Sequence, residues 1–522
     1  MSFEIRKWDG IAKSGIFKVG EKSINTPAIF PVVHPVFQSI KPSRLKKEFG
    51  FNQIITSAYL LKKKMDKGTS VNRIHDYLEF DGVIMMDSGA YQLMVYGDVE
   101  LDQQTSMELQ RKVGADIGVI LDYPIGYDVS YQEAQQRVAT TIERVQEAMD
   151  SMGNNDPIWT LPIQGGKFDG LIGEYIEHIG NKEVYEKFDF FALGSVVQVM
   201  INQDYPTMVK MIIAARKKLP VNKPLHLFGA GHPAMFALAV FLGCDTFDSA
   251  AYSLMAKDNR YMTSQRTYQL EELEVLPCVC PVCSSIDAKE FKSKQKDERI
   301  RLLAEHNLWI TQDEIKKIHL AISRGTMWDL VWERANSVPN LGKATKLAFQ
   351  LYLEDEELRK LILDGTPISK PYAIKIFRNE DLMRPEVYKV RSWIEGYLSE
   401  RNIIDPIIIF LDPDKSSFRK LPESELKGLD EELVKKLVVF NPVYGMIPYG
   451  ILEVFPVSQH TSELNFEEIG VNYYKEEVKA FHGHITVIRS QKWTKERIGK
   501  ILGSQEFEEI VSDKPVSILK SL

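Results

Sequence analysis

Cysteine is scarce in this chain. Four of the 522 residues are Cys, which excludes a disulfide framework and predicts a reducing, cytoplasmic location. No apolar run approaches the roughly 20 residues that a membrane-spanning helix needs, so we expect no contact with a membrane. The first ten residues, MSFEIRKWDG, lack the apolar core of a secretory signal.

An excess of one charge sign is also missing. The chain has 65 Lys and Arg against 72 Asp and Glu, with a net charge of −7. This balance excludes a protein that coats nucleic acid through overall positive charge, although it allows local basic patches. The hydrophobic share of 44% is that of a globular protein, and the length predicts two to four domains.

Short apolar runs alternate with amphipathic segments over the first half of the chain. Eight strand-then-helix units in about 250 residues are typical of a (β/α)₈ TIM barrel; an open doubly wound sheet would normally have fewer strands. The eight predicted strands are residues 28–33, 53–57, 83–86, 117–121, 158–163, 188–193, 225–228 and 245–247.

Polar residues follow these strands where each one ends. They are Asp87, Asp122, Gln164, the turn 192–195, His232 and Asp248. Each alone is an ordinary turn residue. In a barrel, however, the carboxyl ends of all strands open on the same face, and the polar residues would meet at one mouth. The pattern therefore predicts a site there.

Two carboxylates in one pocket can carry out glycosyl transfer. One attacks the anomeric carbon, and the other donates a proton to the leaving group. Asp87 and Asp248 are the candidates for this pair. Asp122 and Gln164 suit the edge of a purine-like ring, because a carboxylate accepts hydrogen bonds and an amide both donates and accepts them. Tyr91 could cover the face of that ring, although a core position is equally compatible with the sequence.

A cluster of cysteines follows the predicted barrel. Cys278, Cys280 and Cys283 lie within six residues, too close together for ordinary disulfides. A tetrahedral structural zinc site needs a fourth ligand, and we favour His306 over His319. The sequence thus predicts one structural Zn²⁺ per chain, which would stabilise a small subdomain.

The texture of the sequence changes after about residue 350, where prolines separate short segments. We predict a catalytic barrel domain at 1–350 that includes a zinc subdomain at about 275–345. Small α+β domains are predicted at 351–430 and 431–522.

Several of these segments together resemble the archaeal tRNA-guanine transglycosylases. The resemblance covers residues 1–350 closely and 448–459 more loosely. It rests on the motifs DSGAYQ at 87–92, QGG at 164–166, FALGSVV at 191–197 and FDSAAY at 247–252, together with the three cysteines and EHN at 305–307.

The resemblance implies exchange of guanine at position 15 of the tRNA D-arm for free 7-cyano-7-deazaguanine (preQ0), a step of archaeosine biosynthesis. It implies Asp248 as nucleophile and Asp87 as general acid and base, although the two roles have at times been assigned the other way round in the family. It also implies that the zinc is structural and that the protein is a homodimer. The residues that would hold the base are Ser88, Tyr91, Asp122, Gln164, Ala192 and Gly194.

Two features depart from the family pattern. No RNA-binding PUA domain is recognisable before the last residue, which leaves open how tightly this chain alone holds tRNA. The segment DSAAY at 248–252 replaces the motif of the bacterial relatives and favours the cyano base over an aminomethyl base.

Three alternatives to base exchange remain. A noncatalytic or amidino-transferring tRNA-binding paralogue would lack the paired aspartates. A two-carboxylate glycoside hydrolase would carry several tryptophans near its strand ends, and only Trp159 lies in a predicted barrel strand. A zinc-stapled interaction module would leave the polar strand ends unexplained.

Overall fold

The computed structural model of the chain describes residues 3–91, 102–154, 156–401, 403–411, 429–464, 466–503 and 505–521. The chain forms two compact units, residues 1–365 and 366–522, and each is described by itself. Gln92, the last residue of the first motif, lies outside the described residues. Among the described residues, no helix combines the length and the apolar content needed to cross a membrane.

The first unit is built on a parallel eight-stranded barrel, which confirms the predicted fold. Its strands pair in the order β4-β11-β10-β9-β8-β7-β6-β5, and a parallel bridge from Val32 to Ile55 joins the two ends of the sheet. The strands are β4 Ala28–Pro31, β5 Gln53–Ser57, β6 Val83–Asp87, β7 Ile117–Val119, β8 Ile158–Ile163, β9 Phe190–Leu193, β10 Leu225–Leu227 and β11 Thr246–Ser249.

Helices connect the barrel strands, as the alternation of apolar runs and amphipathic segments predicts. Several begin at residues whose side chains accept a backbone N–H of the first turn, such as Asp102, Ser130 and Asn181. The helices are Pro42–Lys47, Ala58–Met65, Ile74–Leu78, Gln103–Lys112, Tyr131–Ser151, Asp169–Ile179, Lys182–Lys187, Val197–Ile201, Tyr205–Lys218, Pro233–Phe241 and Ala251–Lys257.

An antiparallel sheet that the sequence analysis does not predict covers the amino end of the barrel. It consists of β1 Phe3–Asp9, β2 Ala12–Val19 and β3 Lys22–Thr26. Its buried side chains share one cluster with the first residues of several barrel strands, and the Phe17 and Phe190 rings lie 5.2 Å apart. Because this end is covered, the opposite end is the one open for a site.

A buried ion pair joins this sheet to the barrel. Lys13 Nζ lies 2.9 Å from the Asp245 carboxylate, which also accepts the Leu225 N–H at 2.9 Å. Neither side chain is more than 1% exposed. We expect Lys13→Met to lower the free energy of unfolding by about 3–5 kcal/mol, because it leaves a buried carboxylate without its partner.

Denaturant unfolding measures this effect, and Lys18→Met is the control because Lys18 is exposed on the same strand. Equal losses for the two variants would contradict the assignment of the stabilisation to the ion pair.

The cysteine-rich segment is enclosed by secondary structure at the end of the first unit. Strands β12 Arg260–Met262 and β13 Thr267–Gln269 precede it, with a 3₁₀ turn at Leu270–Glu272. The helices that follow are Ala288–Ser293, Lys296–Arg324, Met327–Ala335, Pro339–Glu354 and Glu356–Asp364. The 29-residue helix Lys296–Arg324 carries both candidate histidines.

The second unit has its own core around a five-stranded mixed sheet of order β18-β17-β16-β21-β22. This sheet takes strands from both sides of residue 430; the domain boundaries predicted near 350 and 430 remain predictions. The strands are β14 Ile374–Ile376, β15 Ile403–Ile404, β16 Ile407–Phe410, β17 Leu437–Asn441, β18 Gly445–Pro448, β19 His460–Ser462, β20 Phe481–His482, β21 Ile485–Arg489 and β22 Phe507–Val511.

Helical segments surround this sheet. The longest, Pro385–Arg401, packs Val387, Val390, Ile394 and Leu398 into the core of the unit. The others are the α-helices Glu431–Lys435, Phe466–Ile469, Lys475–Val478, Lys495–Leu502 and Pro515–Leu519 and the 3₁₀ turns Asn379–Met383, Tyr449–Ile451 and Val471–Tyr474.

Candidate active site and metal centre

Asp87 is the last residue of β6 and lies at the open end of the barrel. Burial, followed by the nearby carboxylates of Asp122 and Asp248, raises the pKa of its carboxyl to about 7, against hydrogen bonds from the Gly89 and Ser88 N–H groups. The carboxylates of Asp122 and Asp248 are therefore close enough to Asp87 to affect its ionisation. A carboxyl group with this pKa can both donate and accept a proton near neutral pH.

Asp248 lies in β11, is 8% exposed and has one oxygen firmly held. Its Oδ1 accepts the Gly229 N–H at 2.8 Å and lies 3.1 Å from His226 Nε2. Gly229 has a φ of +67°, and a Cβ there would lie 2.3 Å from Val197 Cγ2, so only glycine fits. This arrangement fixes the carboxylate in one orientation.

Asp122, Gln164 and Ser195 form a chain of hydrogen bonds along the same rim. Gln164 Nε2 donates to Asp122 Oδ2, and Ser195 Oγ donates to Gln164 Oε1 at 2.6 Å. The Ile125 N–H donates to Ser195 Oγ at 2.8 Å, which ties the chain to the backbone of the neighbouring loop. Burial raises the pKa of Asp122 to about 6, and the Gln164 amide opposes this shift. The three polar groups thus present a fixed pattern of donors and acceptors.

Gly194 leaves space for the Gln164 side chain, but its backbone N–H is not free to bind a ligand. Its N–H already donates to the Ile163 carbonyl at 2.9 Å. A Cβ at this position would lie 2.3 Å from Gln164 Nε2, so a larger residue would displace the amide. Ala192 lies inside β9 and not in the turn that follows it.

The remaining predicted binding residues differ in exposure. Ser88 is fully buried, and its Oγ accepts the Ala90 N–H at 3.4 Å. Tyr91 is 36% exposed, which leaves its ring free to contact a ligand. His232 lies at the rim, but its Nδ1 accepts the Ala234 N–H at 3.2 Å and so caps the following helix. Burial lowers the pKa of His232 to about 4, so its ring is neutral at physiological pH.

The two hydrogen-bond partners of Asp248, His226 and Gly229, are not predicted from the sequence. His226 stands between two leucines in β10, where a single histidine is most simply a core residue. Gly229 belongs to a glycine-rich turn whose direction depends on the tertiary fold. The sequence feature that could have identified His226 is its position as a polar residue in an otherwise apolar barrel strand.

Trp159 does not line the open end of the barrel as a sugar platform. It is 3% exposed, and its Nε1 donates to Asp156 at 2.7 Å. The feature that a glycoside hydrolase would need is therefore missing at the one tryptophan that the sequence places in a barrel strand.

The three clustered cysteines and His306 meet in space. Their ligand atoms all lie within 4.8 Å of one another, and His306 Nδ1 lies 3.3 Å from Cys283 Sγ and 3.5 Å from Cys280 Sγ. Tetrahedral zinc with its usual bond lengths predicts S···N separations of about 3.5 Å. The group can therefore hold a metal ion, and zinc fits its donors and spacing.

His306 is oriented for this task by its second ring nitrogen. Its Nε2 lies 2.9 Å from the Met262 carbonyl, so Nε2 carries the proton and Nδ1 is left for a metal. The Tyr261 ring stacks on the imidazole at 3.7 Å. The competing His319 instead lies 2.8 Å from the Pro27 carbonyl and is not part of the group.

Comparisons with known proteins agree with this geometry. A family model described as queuine tRNA-ribosyltransferase matches residues 9–340. A tRNA-guanine(15) transglycosylase of Methanocaldococcus jannaschii is 36% identical over 509 residues, which cover 96% of this chain and 73% of that protein. The protein of the same name from Sulfolobus acidocaldarius is 33% identical over 483 residues, 92% of each chain. Another, from Methanococcus aeolicus, is 36% identical over 91% of this chain and 72% of its own length.

Proposed function

Because the chain belongs to the queuine tRNA-ribosyltransferase family, also called tRNA-guanine transglycosylases, we propose that it replaces guanine at position 15 of tRNA with 7-cyano-7-deazaguanine through a covalent Asp248–ribose intermediate. Membership of the family makes it a pentosyltransferase that acts on tRNA. The observation that carries the finer proposal is that Asp122 and Asp248 lie near enough to Asp87 at the open end of the barrel to raise its pKa.

The first half of the reaction releases guanine. An oxygen of the Asp248 carboxylate attacks C1′ of the ribose, the C1′–N9 bond breaks, and the electron pair of that bond leaves with guanine. Asp87 supplies the proton that the departing N9 takes up. A carboxyl with a pKa of about 7 suits this role, because a substantial fraction is protonated at neutral pH.

The second half runs the same steps with the new base. The ionised Asp87 removes the proton from N9 of 7-cyano-7-deazaguanine, N9 attacks C1′, and the bond to Asp248 breaks. One residue thus acts as acid and then as base, which restores the enzyme to its starting protonation state.

The hydrogen-bonded chain Asp122–Gln164–Ser195 would recognise the base. Guanine and 7-cyano-7-deazaguanine share the N1–H and 2-amino donors, which a carboxylate at Asp122 can accept together. The Gln164 amide, held by Ser195, offers both a donor and an acceptor beside it. Ser88, Tyr91, Ala192 and Gly194 complete the proposed base site.

The cyano substituent carries no charge, so its pocket needs no additional carboxylate. An aminomethyl group would bring a positive charge with it. The segment DSAAY at 248–252 contains no carboxylate besides Asp248, which supports the uncharged cyano base.

Release of labelled guanine tests the proposed function directly. Unmodified tRNA that carries labelled guanine at position 15 is incubated with the enzyme, with and without 7-cyano-7-deazaguanine, and the modified nucleoside is identified by mass spectrometry. We expect guanine release beyond one equivalent per enzyme only when the base is added, and a product at position 15 alone. Absence of release, or a preference for the aminomethyl base, would contradict the proposed substrate.

We further propose that the metal at Cys278, Cys280, Cys283 and His306 is a structural zinc ion. When bound, this ion would cross-link the segment after β13 to the helix Lys296–Arg324. A homodimer is part of the same proposal and is tested by analytical ultracentrifugation.

The pKa of Asp87 predicts the pH dependence of the reaction. If its protonated form releases guanine, kcat/KM for tRNA should fall about tenfold for each unit above pH 7, since kcat/KM reports the pKa of the free enzyme. Asp87→Asn should remove this limb together with most of the activity. The measurement is a profile of kcat/KM for tRNA between pH 5.5 and 9, from guanine release at tRNA concentrations well below KM.

Asp87→Asn should lose activity but gain stability at high pH. In the folded protein this carboxyl holds its proton up to about pH 7 instead of 3.8, so its contribution to stability is complete below pH 3.8 and is lost as the pH rises through 7. Asp87→Asn should therefore be more stable than the wild type at pH 8. Asp81→Asn is the control, because Asp81 is exposed just before the same strand and pairs with Lys46.

A flat kcat/KM profile across pH 7 would contradict the acid role of Asp87.

A further inference from the structure

His226 is completely buried in the wall of the barrel and touches the proposed nucleophile. Its Nε2 lies 3.1 Å from Asp248 Oδ1, and its Nδ1 lies 3.0 Å from Thr246 Oγ1. The rings of Phe30, Phe190 and Phe228 pack around the imidazole at centroid distances of 5.7, 5.8 and 4.8 Å. A polar ring in such surroundings costs stability unless both nitrogens are hydrogen-bonded.

The hydrogen-bond network determines the tautomer of this ring. A carboxylate can only accept hydrogen bonds, so Nε2 is the protonated nitrogen of His226 and donates the hydrogen bond to Asp248. In the neutral ring Nδ1 is then an acceptor, and the Thr246 hydroxyl is its donor. Thr246 is 1% exposed and lies two residues before Asp248 on the same strand. The strand that carries the nucleophile thus also fixes the histidine that holds it.

The contacts of Asp248 are strongly one-sided. Oδ1 accepts hydrogen bonds from His226 and from the Gly229 N–H. Within the described part of the chain, no hydrogen bond to Oδ2 is recorded. Oδ1 is therefore the anchored oxygen of this carboxylate, and Oδ2 is the one left for another contact.

We propose that His226 is a positioning residue, which through its Nε2–H holds Asp248 in the orientation that aims Oδ2 at C1′ of the substrate ribose. This inference rests on the proposed function, since it requires Asp248 to be the nucleophile. His226 itself touches neither base nor ribose. Its contribution is to the rate of bond formation and not to the affinity for tRNA, because a misaligned nucleophile slows attack without removing a binding contact.

Matched substitutions at position 226 separate positioning from packing. His226→Gln places an amide N–H near the position of Nε2 and keeps the donor to Asp248. His226→Asn is one carbon shorter, so its amide reaches only toward Thr246. His226→Phe fills the space between the three phenylalanines without any donor. All three keep a planar side chain in the cavity.

We expect His226→Asn and His226→Phe to lower the single-turnover rate of guanine release about 10- to 100-fold, the usual effect of one hydrogen bond to a charged group. KM for tRNA should stay within about twofold of the wild type, and His226→Gln should recover the rate to within about threefold. Thr246→Val, which removes the donor that fixes the tautomer, should lower the rate by about three- to tenfold. Formation of the covalent enzyme–tRNA adduct, followed on denaturing gels, should slow by the same factors.

Melting temperatures of all four variants show whether each is folded at the assay temperature. If His226→Gln is as slow as His226→Phe, or if KM rises and the rate does not fall, the positioning role is overturned. Wild-type rates in every variant overturn it as well. The proposed function fails separately, if Asp248→Asn still exchanges the base.

Discussion

Asp248→Asn is expected to reduce guanine release by about 10⁴-fold or more, since removal of a catalytic nucleophile has an effect of this size in other enzymes. The change is isosteric and leaves Oδ1 able to accept from Gly229 and His226. An amide does not form the ribosyl ester, so the covalent adduct with tRNA should be absent on denaturing gels. Binding of tRNA should be nearly unchanged, because the side chain keeps its shape.

Asp258→Asn is the matched control. Asp258 lies ten residues further on, is exposed at the end of the helix Ala251–Lys257, and loses the same charge. Mass spectrometry of the wild-type adduct locates the modified carboxylate and thereby decides between the two possible assignments of the aspartates. Undiminished release by Asp248→Asn, or an adduct on Asp87, would overturn the proposed roles.

Cys280→Ala is expected to lose about one equivalent of zinc per chain and several kcal/mol of stability, since structural zinc contributes its binding free energy to folding. The metal would connect a segment of little regular structure to the helix Lys296–Arg324, and the cysteines are only partly buried. Metal analysis and thermal unfolding measure the two effects.

Cys244→Ala is the control for this variant. Cys244 is 1% exposed, lies two residues before β11 and is not part of the cluster, so its replacement should leave the metal content unchanged. Retention of zinc by Cys280→Ala, or equal loss in both variants, would contradict the metal assignment.

The strands of the barrel were predictable because each is a short apolar run that ends at a polar residue or glycine. Buried parallel strands require such runs, and each of the eight predicted runs overlaps one of the strands β4 to β11, with ends that differ by up to two residues in most of them. The sheet β1–β3 escaped prediction because its strands mix charged and apolar residues and one face is solvent-exposed. The cysteine spacing identified three of the metal-binding residues, whereas the choice of His306 over His319 needed the fold to confirm it.

The amino-acid sequence by itself determined the barrel, the cysteine cluster and the aspartates that end two of its strands, because apolar periodicity and ligand spacing are local properties of a chain. Only the tertiary structure decided that Asp122 and Asp248 raise the pKa of Asp87 and that His226 is a hydrogen-bond partner of Asp248. The physical reason is that a carboxylate's pKa and orientation depend on burial and on partners distant in sequence, which exist only once the barrel has closed.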